Sequence, residues 1–426
     1  MSDSFIIHGG KPLGGEVVIS GSKNSSFPLI AACLMTDEPC VLENMPLIQD
    51  VVVMVEMVKK LGARVEWDQK TRELMIDAKA LSSCSPDAAL SRKLRGSIVL
   101  AGGLLGRLRR AEIPYPGGDA IGARPLTAHF RAFEELGAVI REGEVIEIDG
   151  SALAGKSFFM EEPSATATEN AILSAVLAPG KTVIALADFA PPIQELISCL
   201  KTMGADIRMH DLHIEINGVK RLHGTRYRIN PDEIEISSFA VLAAATRSEV
   251  LLSGIAPQYL DPVFLQLQKM GVAFEHGAAD MKIMKPTSGY KSFRIQSGLY
   301  PKLMPDHVPQ FAALATQAEG TSLVHEWMYE NRLRYIPELQ KMGATCEILD
   351  PHRALITGPA VLAGCEVESF DLRAGMVLVI AALVANGRST ISNVGHIDRG
   401  YERIEERLRQ IGADIERVTK HESRST

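Results

Sequence analysis

The sequence predicts an α/β protein of two domains, each built from three copies of one structural unit. Three observations carry that reading. At 426 residues the chain is longer than a single hydrophobic core usually serves. A phrase of Leu, Met or Ile, then Gly, then Ala or Val recurs at "LGARVE", "LGAVIRE", "MGADIR", "MGVAFE", "MGATCE" and "IGADIE". Its glycines, Gly62, Gly137, Gly204, Gly271, Gly343 and Gly412, are spaced 75, 67, 67, 72 and 69 residues apart, too long a period for a solenoid unit. Upstream of each phrase the same kinds of segment return in the same order.

The last of these segments is amphipathic. In "YERIEERLRQIG", Ile404, Leu408 and Ile411 share one stripe and charges cover the rest, which predicts a surface helix. The glycine that follows reads as a C-cap, because a left-handed residue ends a helix at no steric cost when it lacks a Cβ. A β-rich run comes after each glycine. Before each surface helix lies a short strand ("CVLEN", "TVIAL", "EVLLSG", "TSLVHE", "STISN"). Before that comes a helix of small apolar residues: "FPLIAACL", "SIVLAGGLLG", "AILSAVLAPG", "FAVLAAAT", "FAALATQA" and "VLVIAALVANG". A helix apolar all round must be buried. The six units fall most simply into two domains of three, with the boundary at "YRINPDEIE" near residue 230. The polar tail, "VTKHESRST", is expected to fray.

Composition narrows the function. Apolar residues make up 46%, the formal charge is -7 and the pI is near 5.9, which excludes nucleic acid as a general partner. The one dense basic run, Arg92 to Arg110, reads as a mixture of solvated helix face and small-anion site. Six cysteines without a CxxC pair indicate reduced thiols in a cytoplasmic protein, and no structural zinc site is expected. The start, "MSDSFIIHGGKPLGG", lacks the pattern of a secretion signal, and the apolar runs fall short of the roughly 20 residues that cross a bilayer. There is no Walker A pattern, no GxGxxG after a strand, no GxSxG and no HExxH, so ordinary nucleotide hydrolysis, NAD chemistry and esterase chemistry are unsupported.

The residues capable of chemistry gather at the N-terminal ends of the two helix types, where a helix already attracts anions. Lys23 and Asn24, Arg95, Ser164 and Thr168, Asp232, Asp306 and Arg373 start the buried helices. Arg124, Arg332 and Arg399 lie in the loops feeding surface helices, 13, 11 and 13 residues before the closing glycines. If the units fold alike, five arginines and a lysine converge near carboxylates, a basket for a small polyanion. The plain alternative for each is a cap or a surface ion pair. Asp232 reads as an N-cap, and His129 as a packed histidine.

With these residues in view the chain resembles the enolpyruvyl transferases, through "SGSKN", "GGDAIGARP", "SATATEN", "MPD", "ENR", "DLRAG" and "HIDRGYERIEERLRQIGA". It is more similar to the branch acting on UDP-N-acetylglucosamine than to the one acting on shikimate 3-phosphate. The resemblance runs from about residue 5 to residue 418. It implies two inside-out α/β barrel domains of three βαβαββ units: residues 1–22 plus 231–426, with a swapped N-terminal strand, and residues 23–230, carrying the Asp119 loop. The active site of the family lies in a cleft that closes on substrate. The implied reaction moves the enolpyruvyl group of phosphoenolpyruvate to the 3-hydroxyl of UDP-N-acetylglucosamine by addition and elimination, releasing phosphate and opening peptidoglycan precursor synthesis. Both substrates are small molecules, and no metal or organic cofactor is expected.

By the same resemblance Lys23, Arg95, Arg124 and Arg399 bind the phosphate, while Arg332 and Arg373 hold the carboxylate end. Asp306 accepts the proton of the attacking hydroxyl, and Asn24, Arg124, Pro125, Leu126 and Ser164 touch the sugar nucleotide. Most of the family has at position 119 a cysteine that delivers a proton to the methylene carbon. Asp119 takes its place here as general acid, so an epoxide such as fosfomycin, which alkylates that thiol, should not inactivate this protein. The acceptor half departs from the family pattern: "SATAT" stands for "SVGAT", Thr127 for an Asp, and "FAPPIQE" for a stretch with two glutamates. Another acceptor, such as a different nucleotide or shikimate 3-phosphate, is one alternative, and a non-catalytic ligand-binding protein is another.

Overall fold

The computed structural model describes residues 3–419; the tail expected to fray lies outside them from residue 420 on. The chain divides into two compact units. One comprises Met1–Ser20, Asp119–Ala123 and Pro231–Thr426, and the other Gly21–Gly118 and Arg124–Asn230.

In the second unit three small-residue helices, Lys23–Cys33, Leu100–Leu108 and Ala165–Val176, are almost entirely buried. Small residues are what allow them to meet. A Cβ on Gly102 would stand 2.7 Å from Asn170 Oδ1, and one on Gly103 would stand 2.7 Å from the carbonyl oxygen of Ala31. Any side chain at either position forces its neighbour helix away. Around these helices lie three sheets, whose strand orders are Arg226–Arg228, Cys40–Glu43, Glu73–Asp77, Arg64–Asp68; Arg110–Pro114, Val145–Asp149, Val139–Glu142; and Asp206–Met209, His213–Asn217, Lys181–Ala185, Ser157–Phe159. Strands such as Glu73–Asp77 and His213–Asn217 alternate between buried and half-buried residues, so one face of each packs inward.

The first unit repeats the plan with inner helices Glu233–Ala245, Val308–Ala315 and Leu372–Val384. Its sheets are built on the strands Glu249–Ser253, Ala318–His325 and Arg388–Ser392. The strand Ser4–His8 lies between Arg388–Ser392 and Asp414–Val418, antiparallel to both. The start of the chain thereby completes the sheet of the last repeat.

Six amphipathic helices follow, ending next to the six repeat glycines. Gly62, Gly137, Gly204, Gly271, Gly343 and Gly412 have φ of 104°, 96°, 95°, 78°, 96° and 95°. Each lies in the left-handed region, as the C-cap reading requires. Ile404, Leu408 and Ile411 are buried, as their stripe predicts. The six cysteines are free thiols. Among the described residues no helix is long and apolar enough to cross a membrane.

Candidate functional site

Within the first unit the structure forms two polar groupings. The first centres on Asp306, at the 3-10 turn Pro305–His307 that leads into an inner helix. Arg332 donates to its Oδ1, and Arg373 Nε and Nη2 reach its Oδ2 at 3.2 and 3.1 Å. The side chains of Arg332 and Arg373 are 4% and 3% exposed, whereas that of Asp306 is 30% exposed. Two guanidiniums are therefore sunk in the protein, and the carboxylate they grip keeps an open edge. Asp371 fixes Arg373 from behind: its Oδ1 accepts from the backbone N of Arg373 and of Ala374, both at 2.9 Å, capping the helix Leu372–Val384. Arg373 Nη1 also donates to Tyr401 Oη at 3.2 Å, and that hydroxyl lies 2.7 Å from Ser238 Oγ. The Nε of Arg332 is buried without a hydrogen-bond partner.

Burial alone would weaken the hold of Arg332 and Arg373 on their protons. Nearby negative charge, Asp306 first, outweighs it and raises both above the ordinary arginine value. Neighbouring His307 is pushed down to about 3, chiefly by burial, and its Nδ1 lies 2.8 Å from Ser237 Oγ.

The second grouping lies on the segment Asp119–Ala123. Arg399 Nη1 donates to Asp119 Oδ1, and His396 Nδ1 lies 3.5 Å from the same oxygen. The segment is tied down further along. Glu330 Oε1 accepts from Ala123 N at 2.7 Å, and Asn331 N donates to the Ile121 carbonyl at 3.0 Å.

In the second unit Lys23 is the first residue of its helix, 8% exposed, with Nζ 2.9 Å from Oδ2 of Asp50, itself 3% exposed. A cation there opposes the helix dipole, so a buried carboxylate beside it is expected. Arg95 donates to the backbone carbonyls of Arg124 and, at 3.4 Å, of Pro125. Leu126 is buried, Pro125 is exposed, and Asn24 and Arg124 are half-buried. Ser164 is an N-cap accepting from Ala167 N at 3.4 Å.

His129 is packed, as its sequence context suggests, and burial pushes it down to about 3. Its tautomer follows from its neighbours. Asn170 Oδ1 accepts from Gly102 N at 2.8 Å, so its amide nitrogen faces His129 Nδ1 at 2.9 Å and donates to it. The proton of the neutral ring is then on Nε2, which lies 3.2 Å from Thr166 Oγ1 and donates to it. Asp232 is an N-cap, accepting from Ile234 N and Glu235 N.

Five of the six cations singled out in the sequence thus hold groups of the protein itself: Arg332 and Arg373 hold Asp306, Arg399 holds Asp119, Lys23 holds Asp50, and Arg95 holds backbone oxygens. Sequence reasoning missed Asp50, Glu330, His396 and Tyr401. Glu330, His396 and Tyr401 lie inside the quoted "ENR" and "HIDRGYERIEERLRQIGA", so a signal for them was present.

The family model of EPSP synthase (3-phosphoshikimate 1-carboxyvinyltransferase) matches residues 7–408. Two relatives, both named UDP-N-acetylglucosamine 1-carboxyvinyltransferase, come from Treponema denticola and Bradyrhizobium diazoefficiens. The first is 41% identical over 97% of this chain and 98% of its own, and the second 40% identical over 98% and 99%. Among solved structures, the enolpyruvyl transferase NikO from Streptomyces tendae superposes with a TM-score of 0.90 at 25% identity, covering 98% of this chain and all of that one. EPSP synthase of Acinetobacter baumannii superposes at 0.76 with 21% identity over 98% of this chain and 100% of its own, which shows the shared fold. The chain belongs to the EPSP synthase family of carboxyvinyl transferases.

Proposed function

We propose that the protein transfers the enolpyruvyl group of phosphoenolpyruvate to the 3-hydroxyl of UDP-N-acetylglucosamine, releasing phosphate, as a cytoplasmic enzyme of peptidoglycan precursor synthesis. The observation that carries the reading is Asp306, a half-open carboxylate kept ionised by two buried arginines. Relatives of that name at about 40% identity supply the substrates.

In the addition step the acceptor oxygen attacks C2 of phosphoenolpyruvate, Asp306 takes the hydroxyl proton, and Asp119 gives a proton to C3, making a methyl group. In the elimination step Asp119, left as a carboxylate, takes back a proton from the methyl group as the C2–O bond to phosphate breaks. Asp119 held by Arg399 is a carboxylate, so it must leave that arginine and take up a proton before it can act. A substrate phosphate on Arg399, Lys23, Arg95 and Arg124 would compete for those cations and release it. Arg332 and Arg373 fit the substrate carboxylate. Asn24, Pro125, Leu126 and Ser164 would meet the sugar nucleotide. The division into residues 1–22 with 231–426 and residues 23–230 is part of the same proposal.

A different acceptor is the second reading, favoured by Thr166, whose hydroxyl is bound by His129 where the family pattern has a glycine. One experiment separates the two: phosphate release from phosphoenolpyruvate with and without UDP-N-acetylglucosamine, the product identified by mass. Release only with the sugar nucleotide is expected. Bound phosphoenolpyruvate without release would move the assignment to another hydroxyl.

A further inference from the structure

The sequence "HDLHIE", residues 210–215, plays no part in the reaction above. It forms the tip of the hairpin Asp206–Met209 and His213–Asn217. The hairpin is in register with Met209 opposite Ile214 and Arg208 opposite Glu215, and His210 N donates to the His213 carbonyl at 2.9 Å. His210 therefore lies across from His213, and because side chains alternate along a strand, Glu215 shares their face. The structure brings all three together. The imidazole rings stack with centroids 4.5 Å apart and planes 21° from parallel. One ligand atom from each of His210, His213 and Glu215 lies within 4.8 Å of the others.

We propose that this hairpin tip binds a divalent transition-metal ion of the zinc and copper class through His210, His213 and Glu215. Two imidazoles and one carboxylate suit such ions and not magnesium or calcium, which take oxygen ligands. Zinc bonds of about 2.0–2.2 Å place tetrahedral ligands roughly 3.4 Å apart, so the three atoms must draw in by about an ångström. Side-chain rotation supplies that, since His210 is exposed and His213 and Glu215 are half-buried. Three protein ligands leave a position for water or for a second chain.

The local charges set the strength of the site. Lys181, on the neighbouring strand, holds Glu215 at 2.8 Å. The same Lys181 competes with the ion and Arg208 repels it, so micromolar affinity is expected.

The test is calorimetric titration of zinc chloride into the chelator-treated full chain, with the visible spectrum of the cobalt-loaded protein as a second readout. One zinc per chain is expected. His210→Ala and His213→Ala should each weaken binding by at least the roughly tenfold that losing even an outer-shell partner costs, and should dim the cobalt bands. Lys181→Met should act in the opposite direction, tightening binding by freeing Glu215. Circular dichroism checks that each variant is folded. Zinc binding that survives His210→Ala combined with His213→Ala, no binding to the wild type at micromolar zinc, or weaker binding in Lys181→Met would each overturn the proposal.

Discussion

Asp306 and Asp119 are both aspartates that meet arginine, yet their settings differ. Asp306 sits at the start of an inner helix between two guanidiniums with almost no exposure, one of them fixed by the cap of Asp371. Asp119 sits on a short segment behind two glycines and meets Arg399, whose side chain is 16% exposed, and His396, which is 38% exposed. The first setting holds a carboxylate fixed between two cations, which must turn toward the substrate before it takes a proton. The second makes a carboxyl group whose single arginine can be taken away. In the proposed mechanism the first accepts the proton of the hydroxyl and the second, once released, donates one.

The hardest way to break this contrast is Arg373→Ala. It strips Asp306 of one guanidinium and Tyr401 of a donor, so phosphate release should fall by about 10²–10³ or more, and denaturant unfolding should show a loss on the order of 3 kcal/mol. Asp119→Asn should lower phosphate release by about 10²–10⁴ and leave the melting temperature close to wild type, because in the proposed mechanism the residue serves the reaction and not the core. If both variants lose stability equally, the contrast fails. Asp119→Cys sharpens it: intact mass should show fosfomycin attached to that variant and not to the wild type.

A smaller effect tests the socket. Burial holds His307 near 3, below its ordinary 6.5. The unfolded chain takes up a proton between pH 6.5 and about 3 that the folded chain refuses, so this residue makes stability fall as pH falls through that window, by up to about 1.4 kcal/mol per unit. His307→Gln should show a shallower decline than wild type in acid denaturation, and an unchanged slope would contradict the buried, neutral histidine. The smallest effect expected is at Glu330→Gln, which weakens the tie to Ala123. It should change the KM for phosphoenolpyruvate a few fold with stability within about 0.5 kcal/mol of wild type.

The repeats were legible because the backbone demands them: a helix ending in a left-handed residue selects glycine, and a helix wedged between others selects small apolar residues. The cations at helix starts were legible as a set, since a positive charge there runs against the helix dipole and calls for a reason. Their present partners were not. That Lys23 meets Asp50, that Arg332 and Arg373 share Asp306, and that Glu330 ties down Ala123 depend on contacts between residues 26 to 207 positions apart. The histidines at 210 and 213 were missed for a related reason: only the hairpin register shows that they share a face with Glu215.

The division of roles between the two aspartates is tested most directly in deuterium oxide. Addition places one solvent deuteron on C3 and elimination removes one hydrogen, so product formed by the wild type should carry deuterium in its methylene group by mass and NMR. Asp119→Asn should still bind phosphoenolpyruvate but incorporate none. Deuterium entering at the wild-type rate in Asp119→Asn would contradict the account and give the proton to another residue.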